Sequence, residues 1–441
     1  MSLRVLTGIK PTGVPHLGNY VGAIRPAVAA SADHGVESFF FLADYHALIS
    51  TQDPGRVQRS TLEIAASWLA CGLDPARVAF YRQSDVPETT ELTWLLSCVA
   101  GKGLLNRAHA YKAAVDRNRA EGGDDDAGVT AGLYMYPVLM AADILLFNAH
   151  RVPVGRDQVQ HIEMARDFAQ RFNHLYGEHF TLPEAAIEEQ VATLPGLDGR
   201  KMSKSYDNVI PLFAPRAELR RLVFSIVTDS RAPGEPKETE GSALFQLYQA
   251  FAGAEETGRM RAAFEEGIAW GEAKERLFER IDAELAPLRE RYDALVADPG
   301  GIERILREGG ERLRDVHARP FLARLRHAVG LRDLSLRDAG DARSDAGAAP
   351  APPVFKQYRE ADGRFHFKLV DGDRVLLQGE GFESPRDCGR AVAVLKSGTV
   401  APRIDGAGRA WLDDVAVGSL GAGVDPDALL AALARLAGEA E

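Results

Sequence analysis

Cysteine is scarce in this chain, with only Cys71, Cys98 and Cys388 among 441 residues. They are too few for a disulfide framework and too scattered for a four-cysteine zinc site, which uses close pairs. They read as small core residues in a reducing compartment. Long apolar runs are lacking as well. The longest, Leu133 to Phe147, is interrupted by Pro137 and carries Asp143, which argues against a bilayer span and for buried protein. Positive charge is in deficit: 52 Lys and Arg against 63 Asp and Glu leave a net charge of -11. That balance argues against nucleic acid wrapped over the whole surface, but permits a local basic patch. The first strand begins at Leu3 with no basic segment ahead of it, so the expected location is cytoplasmic, with no membrane partner.

What is present is a globular composition, 46% hydrophobic and 26% charged, in a chain long enough for two domains and a small appendage. Arg4 to Thr7, Ser38 to Ala43 and Val78 to Arg82 read as buried strands. Helical patterns follow each of them, at about Gly18 to Asp33, Pro54 to Gly72 and Glu88 to Val99. This alternation predicts an α/β fold, a doubly wound Rossmann-type parallel sheet over residues 1–214. Leu219, Leu222, Val223, Phe264, Leu277, Ile281 and Leu288 then recur at helical spacing, which predicts a helical second domain over 215–333. An Ala-, Gly-, Asp- and Pro-rich stretch at 334–353 reads as a linker. Residues 354–441 read as a small C-terminal α+β module: two strands between Phe355 and Gln378 and a helix from Ser384 to Leu395 form a ββα unit, with an Ala/Leu helix at the end.

The chemistry concentrates in two segments. In the first, Thr7 to Asn19, a strand runs into a helix through glycines. Gly8 and Gly13 let backbone approach a ligand, and the helix beginning near Gly18 aims free N–H groups at phosphate. His16 can donate to a triphosphate oxygen, and Asn19 can hold either His16 or the ligand. A plain glycine-rich turn would also fit these residues. The second segment, Lys201-Met202-Ser203-Lys204-Ser205, gathers two ammonium groups and two hydroxyls. Mobile lysines suit the charge that builds on a departing pyrophosphate, whereas the bland reading is a solvated charge run.

At these two segments the chain resembles the class I aminoacyl-tRNA synthetases, whose signatures stand here as Pro15-His16-Leu17-Gly18-Asn19 and Lys201 to Ser205. Within that class, Tyr136 to Leu146 and Val152 to Glu163 are similar to the tryptophanyl-tRNA synthetases, over roughly residues 3 to 333. The resemblance implies a tryptophan-tRNA ligase that forms tryptophanyl-adenylate and pyrophosphate from tryptophan and ATP, then transfers tryptophan to the 3′ end of tRNA(Trp). His16, Asn19, Lys201 and Lys204 are its implied catalytic residues. ATP is expected along Lys10, Pro11, Thr12, Gly18, Asn19, Gly155, Arg156, Asp157, Leu194, Lys201, Met202, Ser203, Lys204 and Ser205, with Mg2+ carried on the nucleotide and no protein metal site. Tryptophan is expected against Leu6, Gly8, His46, Tyr136, Met140, Asp143 and Gln158.

Asp143, a carboxylate in an otherwise apolar helix, needs a partner. In the resembled family that partner is the indole N–H, which phenylalanine lacks; an internal salt bridge is the alternative. Two positions depart from the common bacterial pattern, Lys10 and Ala110, where glutamine is frequent. The tyrosine enzymes share fold and signatures. Against tyrosine, Leu6 cannot hydrogen-bond a phenol, and the tyrosine enzymes' usual Asp and Gln are absent, with Lys10 and Met140 at the matching places. A tryptophan sensor that charges no tRNA and a small-molecule nucleotidyltransferase are the remaining alternatives. Lys102, Arg107, Lys112, Arg117 and Arg119 form a basic stretch suited to an acceptor stem, or simply a solvated helix face. The family implies a homodimer, for which the apolar stretches around Trp68, Trp94 and Val138 are candidate interface.

Overall fold

The computed structural model of the protein describes residues 2–11, 13–187, 194–332, 334, 353–360, 362–372, 374–398 and 400–438. Thr12 and nearly all of the 334–353 stretch therefore lie outside the described residues. Contacts divide the chain into two compact units, Met1–Arg332 and Asp333–Glu441.

The first unit is built on five parallel strands: β1 (Leu3–Ile9), β2 (Val36–Leu42), β3 (Ala79–Arg82), β4 (Arg151–Val154) and β5 (Glu184–Ile187). Their order is β3-β2-β1-β4-β5. β1 is central, with Val5 opposite both Ser38 on β2 and Arg151 on β4. The chain winds outward from β1 through β2 and β3, then crosses back to β4, so strand order reverses between β1 and β4. In an open sheet of this kind the loops leaving the carboxyl ends of those two strands enclose a ligand crevice.

β2 ends in a continuous apolar run, Phe39 to Leu42, because both faces of the sheet are covered there. Phe40 and Leu42 enter one core with Trp68, while Phe39 and Phe41 enter the other with Phe147. The Pro54–Ala70 helix starts where Asp53 caps it and buries Ile64, Ala65 and Trp68; the Trp68 ring lies 5.5 Å from Phe40. The Ala131–Leu145 helix is capped by Thr130 and buries Val138, Ala142 and Asp143. Trp68 and Val138 are thus core residues and cannot serve an interface, which corrects that expectation. Trp94 is different, at 70% exposed.

Six helices, Arg216–Phe224, Ala243–Phe251, Ala254–Glu265, Trp270–Ala297, Pro299–Leu313 and Arg319–Ala328, complete this unit. Leu219, Leu222, Val223, Phe264, Leu277 and Ile281 join Phe40 and Trp68 in one apolar cluster, with Leu288 packed against it. The Pro299–Leu313 helix crosses β3 at backbone contact: a Cβ on Gly309 would lie 2.0 Å from the Phe80 carbonyl oxygen, so only glycine fits. No helix among the described residues is long and apolar enough to cross a membrane.

The second unit is larger than a ββα unit. It holds β6 (Val354–Arg359), β7 (Phe365–Asp371), β8 (Arg374–Gly379), β9 (Arg403–Ile404), β10 (Arg409–Leu412) and β11 (Val415–Leu420), with helices Pro385–Ser397 and Pro426–Gly438. The antiparallel sheet runs β6-β7-β8-β11-β10-β9. Three strands and a helix occur twice, and the halves meet at β8 and β11. Cys388, Ala391, Val392 and Leu395 in the first helix, and Leu429, Ala432, Leu433 and Leu436 in the second, are buried at the same i, i+3, i+4, i+7 spacing.

Candidate active site

The segment after β1 turns by a reciprocal cap. His16 Nδ1 accepts from the Asn19 backbone N–H at 3.3 Å, and Asn19 Oδ1 accepts from the His16 N–H at 3.1 Å. With Nδ1 an acceptor, the proton of neutral His16 is on Nε2, available to a phosphate oxygen. Burial, then the Lys204 ammonium, pushes the His16 pKa down to about 4. His16 is therefore a neutral donor at neutral pH. A Cβ on Gly18 would lie 3.0 Å from His16 Cε1 and Nδ1, so glycine there leaves the imidazole its place.

The second lysine-bearing loop lies against the first segment. Leu17 N–H donates to Ile210 O at 3.0 Å and Leu212 N–H to Pro15 O at 2.9 Å, which ties residues 15–17 to 210–212. Within the loop Asn208 is the organiser: its Oδ1 accepts from Ser203 N–H at 2.8 Å, and its Nδ2 donates to Asp198 Oδ1 at 2.7 Å and Lys201 O at 3.1 Å. Lys201, Lys204 and Ser205 are exposed, whereas the Met202 and Leu194 side chains are buried in the core. The two are tied together, Met202 N–H donating to Leu194 O at 2.9 Å. Burial lowers the Lys204 pKa, Glu63 opposes this and Arg56 adds to it. Gly13 has φ of +82°, and a Cβ there would stand 3.5 Å from Glu63 Oε2 and 3.9 Å from Lys204 Nζ. Lys10 and Pro11 line a small adjoining cavity of about 260 Å³ with Arg56 and Ser60.

A cavity of about 600 Å³ opens at the carboxyl ends of β1 and β4. Its wall includes Leu6, Gly8, Lys10, His46, Ala110, Tyr136, Met140, Asp143, Gly155 and Gln158, so the seven residues expected around tryptophan share one space. Asp143 is 2% exposed. Its Oδ2 lies 3.0 Å from His46 Nε2, and Gln83 Nε2 donates to both oxygens at 2.8 and 2.9 Å. Burial raises the Asp143 pKa, and the contacts from His46 and Gln83 oppose that shift. A carboxylate offers about four acceptor positions, so one remains for an N–H in the cavity.

Opposite Asp143, a second chain of hydrogen bonds crosses the site. Gln158 Nε2 donates to Asp157 Oδ2 at 2.6 Å, which leaves Gln158 Oε1 to accept from His161 Nδ1 at 3.1 Å. His161 Nε2 then accepts from the Tyr136 hydroxyl at 2.5 Å. Burial lowers the His161 pKa, consistent with this neutral tautomer. Gly155 is required locally, since a Cβ would lie 2.7 Å from Asp157 Oδ1, and Arg156 is exposed beside it. Sequence reasoning assigned no role to Gln83 or His161. Gln83 follows the carboxyl end of β3, and His161 lies one helical turn after Gln158, so position in a parallel sheet and helix periodicity were the available signals.

Lys102, Arg107, Lys112, Arg117 and Arg119 are all exposed. Arg119 is committed to Asp125 at 2.7 Å and Lys102 donates to Asn106 at 3.1 Å, so Arg107, Lys112 and Arg117 carry more of the patch.

A family model described as tRNA synthetases class I (W and Y) matches residues 1–286. A tryptophan–tRNA ligase from Xanthomonas axonopodis pv. citri (strain 306) is 68% identical over 438 residues, covering 99% of both chains. The corresponding ligase from Xylella fastidiosa (strain 9a5c) is 66% identical over 444 residues, covering 99% of this chain and 98% of its own. Among solved structures, the Campylobacter jejuni tryptophanyl-tRNA synthetase complexed with ADP and tryptophan superposes with a TM-score of 0.68 at 41% identity. It covers 74% of this chain and 100% of its own. With that breadth of match, and with both signature segments joined around one crevice, the chain belongs to the class I tRNA synthetases of the tryptophan and tyrosine family.

Proposed function

We propose that the protein activates L-tryptophan with ATP and transfers it to tRNA(Trp). The observation that carries tryptophan is Asp143: a buried carboxylate in an apolar cavity, held by His46 and Gln83, with acceptor capacity left for an indole N–H. Tyrosine is disfavoured because Leu6, lining the same cavity, offers nothing to a phenol. Proteins of 66 to 68% identity carry the name tryptophan–tRNA ligase.

In this reading the tryptophan carboxylate attacks the α-phosphate of ATP in line, and pyrophosphate leaves. The terminal ribose hydroxyl of tRNA then attacks the activated carbonyl and releases AMP. Tyr136 and Gln158, locked by His161, orient the amino acid, and Asp157 accepts from the ribose hydroxyls. Neutral His16 donates through Nε2 to the phosphates, Asn19 fixes its ring, and Lys201 and Lys204 neutralise the departing pyrophosphate. Lys10 adds a cation where the two cavities join. Mg2+ bound to the phosphates as the nucleotide enters would supply charge neutralisation. Residues 1–214 serve catalysis and 215–333 contact tRNA, and the cytoplasm is the place of action. A homodimer forms through the face carrying Trp94 and Leu48, which are 70% and 54% exposed.

Amino-acid-dependent ATP–pyrophosphate exchange, run with each amino acid separately, tests the reading. Exchange with tryptophan alone supports it; exchange with tyrosine overturns the pocket argument, and none at all favours a sensor.

A further inference from the structure

Strand register brings one residue from each of five strands in the second unit into a single rung. Lys356 stands opposite Lys368, Lys368 opposite Gln378, Gln378 opposite Ser419, and Ser419 opposite Arg409. Directly opposed residues project to the same face, and Phe367, Leu369 and Leu377, which alternate with them, are buried with the helix residues Cys388 and Leu429. The rung therefore lies on the face that the two helices leave uncovered. It carries three cations and two neutral hydrogen-bonding groups, and no carboxylate.

The adjacent rung carries rings. Tyr358 is opposite His366, with ring centroids 5.8 Å apart and planes 20° from parallel. Lys368 Nζ lies 5.8 Å from the Tyr358 centroid, and the Gln378 amide donates to the Tyr358 hydroxyl. In the other half of the sheet Trp411 is opposite Arg403, whose guanidinium carbon lies 5.7 Å from the indole. Trp411 Nε1 donates to Asp405 at 3.0 Å, which fixes the ring. Because neighbouring strands alternate in direction, Tyr358, two residues past Lys356, and Trp411, two residues past Arg409, fall on the same side of the cationic rung. The nearest carboxylates, Glu360, Asp362, Glu380 and Asp405, stand at strand ends; the first two lie 3.8 Å from His366 Nε2.

We propose that this open face binds unpaired nucleotides of the tRNA substrate. The cationic rung follows the phosphates and the rings of the neighbouring rung stack with bases, whose flat faces need no sequence match. Four strand spacings of about 4.8 Å make the rung roughly 19 Å long. That length suits a polyanion better than a small anion, and an acidic peptide would meet the cations without using the rings. The proposal rests on tRNA being the protein's substrate.

The test uses the full-length protein and a tRNA(Trp) transcript, with affinity measured across a salt series. Replacing all three cations of the rung (Lys356→Gln, Lys368→Gln, Arg409→Gln) should lower affinity and flatten the slope of log affinity against log salt by about 2, since each single-strand phosphate contact contributes about 0.7. Tyr358→Ala or Trp411→Ala should weaken binding about 5- to 150-fold, and Tyr358→Phe should retain it, because the ring does the stacking. Tryptophan-dependent pyrophosphate exchange needs no tRNA and should stay at the unsubstituted level in every variant. Unchanged affinity and slope in the triple variant overturn the proposal and turn attention to a protein partner for this face. Equal losses in Tyr358→Phe and Tyr358→Ala also overturn it. Absence of exchange in the unsubstituted protein would instead sink the catalytic reading.

Discussion

Replacing Asp143 by asparagine keeps the shape of the side chain and removes its charge. The carboxylate now accepts from Gln83 at 2.8 and 2.9 Å and faces His46 Nε2 at 3.0 Å, in a site only 2% open to solvent. Asparagine has one acceptor oxygen, so turning it toward Gln83 presents an NH2 to His46, and the opposite rotamer sets NH2 against NH2 at Gln83. His46 can change tautomer and accept, so the first arrangement should prevail and the pocket should keep its shape. What is lost is a charged acceptor for the indole N–H. A hydrogen bond to a charged group is worth about 1.5 to 3 kcal/mol, which corresponds to about a 10- to 150-fold fall in kcat/KM for tryptophan in pyrophosphate exchange. Phenylalanine has no N–H to lose, so its kcat/KM should hold or rise and the tryptophan-to-phenylalanine ratio should fall by at least the same factor. An unchanged ratio in a variant that still folds and turns over would refute the indole assignment and leave Asp143 as an internal structural pair.

His161→Phe removes the partners of both Tyr136 and Gln158. KM should rise for tryptophan and for ATP together, by about 5- to 30-fold, whereas a KM change confined to one substrate would break the proposed link to Asp157. Gly18→Ala places a methyl group 3.0 Å from His16, so kcat should fall by about tenfold or more with little change in tryptophan KM; wild-type turnover would show that the imbalance is absorbed elsewhere. The His16 pKa is lowered from 6.5 to about 4 in the folded protein, so between those values the unfolded chain binds a proton that the folded one refuses. Stability should therefore decline at this site as pH falls through that window. His16→Gln should gain relative to wild type in denaturant titrations at about pH 4.5 compared with about pH 7, and a constant difference would contradict the assignment.

The apolar strands and the amphipathic helices of the first unit were legible because burial on both faces of β2, or on one face of a helix, leaves a periodic pattern in local sequence. Asp143 stood out for the opposite reason, as the residue that breaks such a pattern. Its holders were harder to read: His46 was placed only beside the substrate and Gln83 was given no role, because both come from other crossovers of the sheet and only the β3-β2-β1-β4 order brings them to Asp143. His161 was hidden because a polar residue on a helix reads as solvent-facing until the helix is docked. In the second unit β9 has two residues and β10 four, and register shifts at Leu369/Val370 and Ala410/Trp411 interrupt the two-residue alternation. Small residues such as Ala410 and Gly418 on the covered face further weakened the apolar signal, so β9, β10 and β11 went unread, and β6 and β7 were read as one strand.

The ties from Leu17 to Ile210 and from Pro15 to Leu212 also bear on the order of biosynthesis. The ribosome makes the His16 segment first, yet its anchoring partners emerge almost two hundred residues later. β4 is made before them, at Arg151–Val154, but until Ile210 and Leu212 emerge the nucleotide cradle lacks the backbone that holds its turn. Nascent chains ending before Leu212 would therefore have no assembled ATP site to stabilise by ligand, and this part of the fold must close from both ends at once.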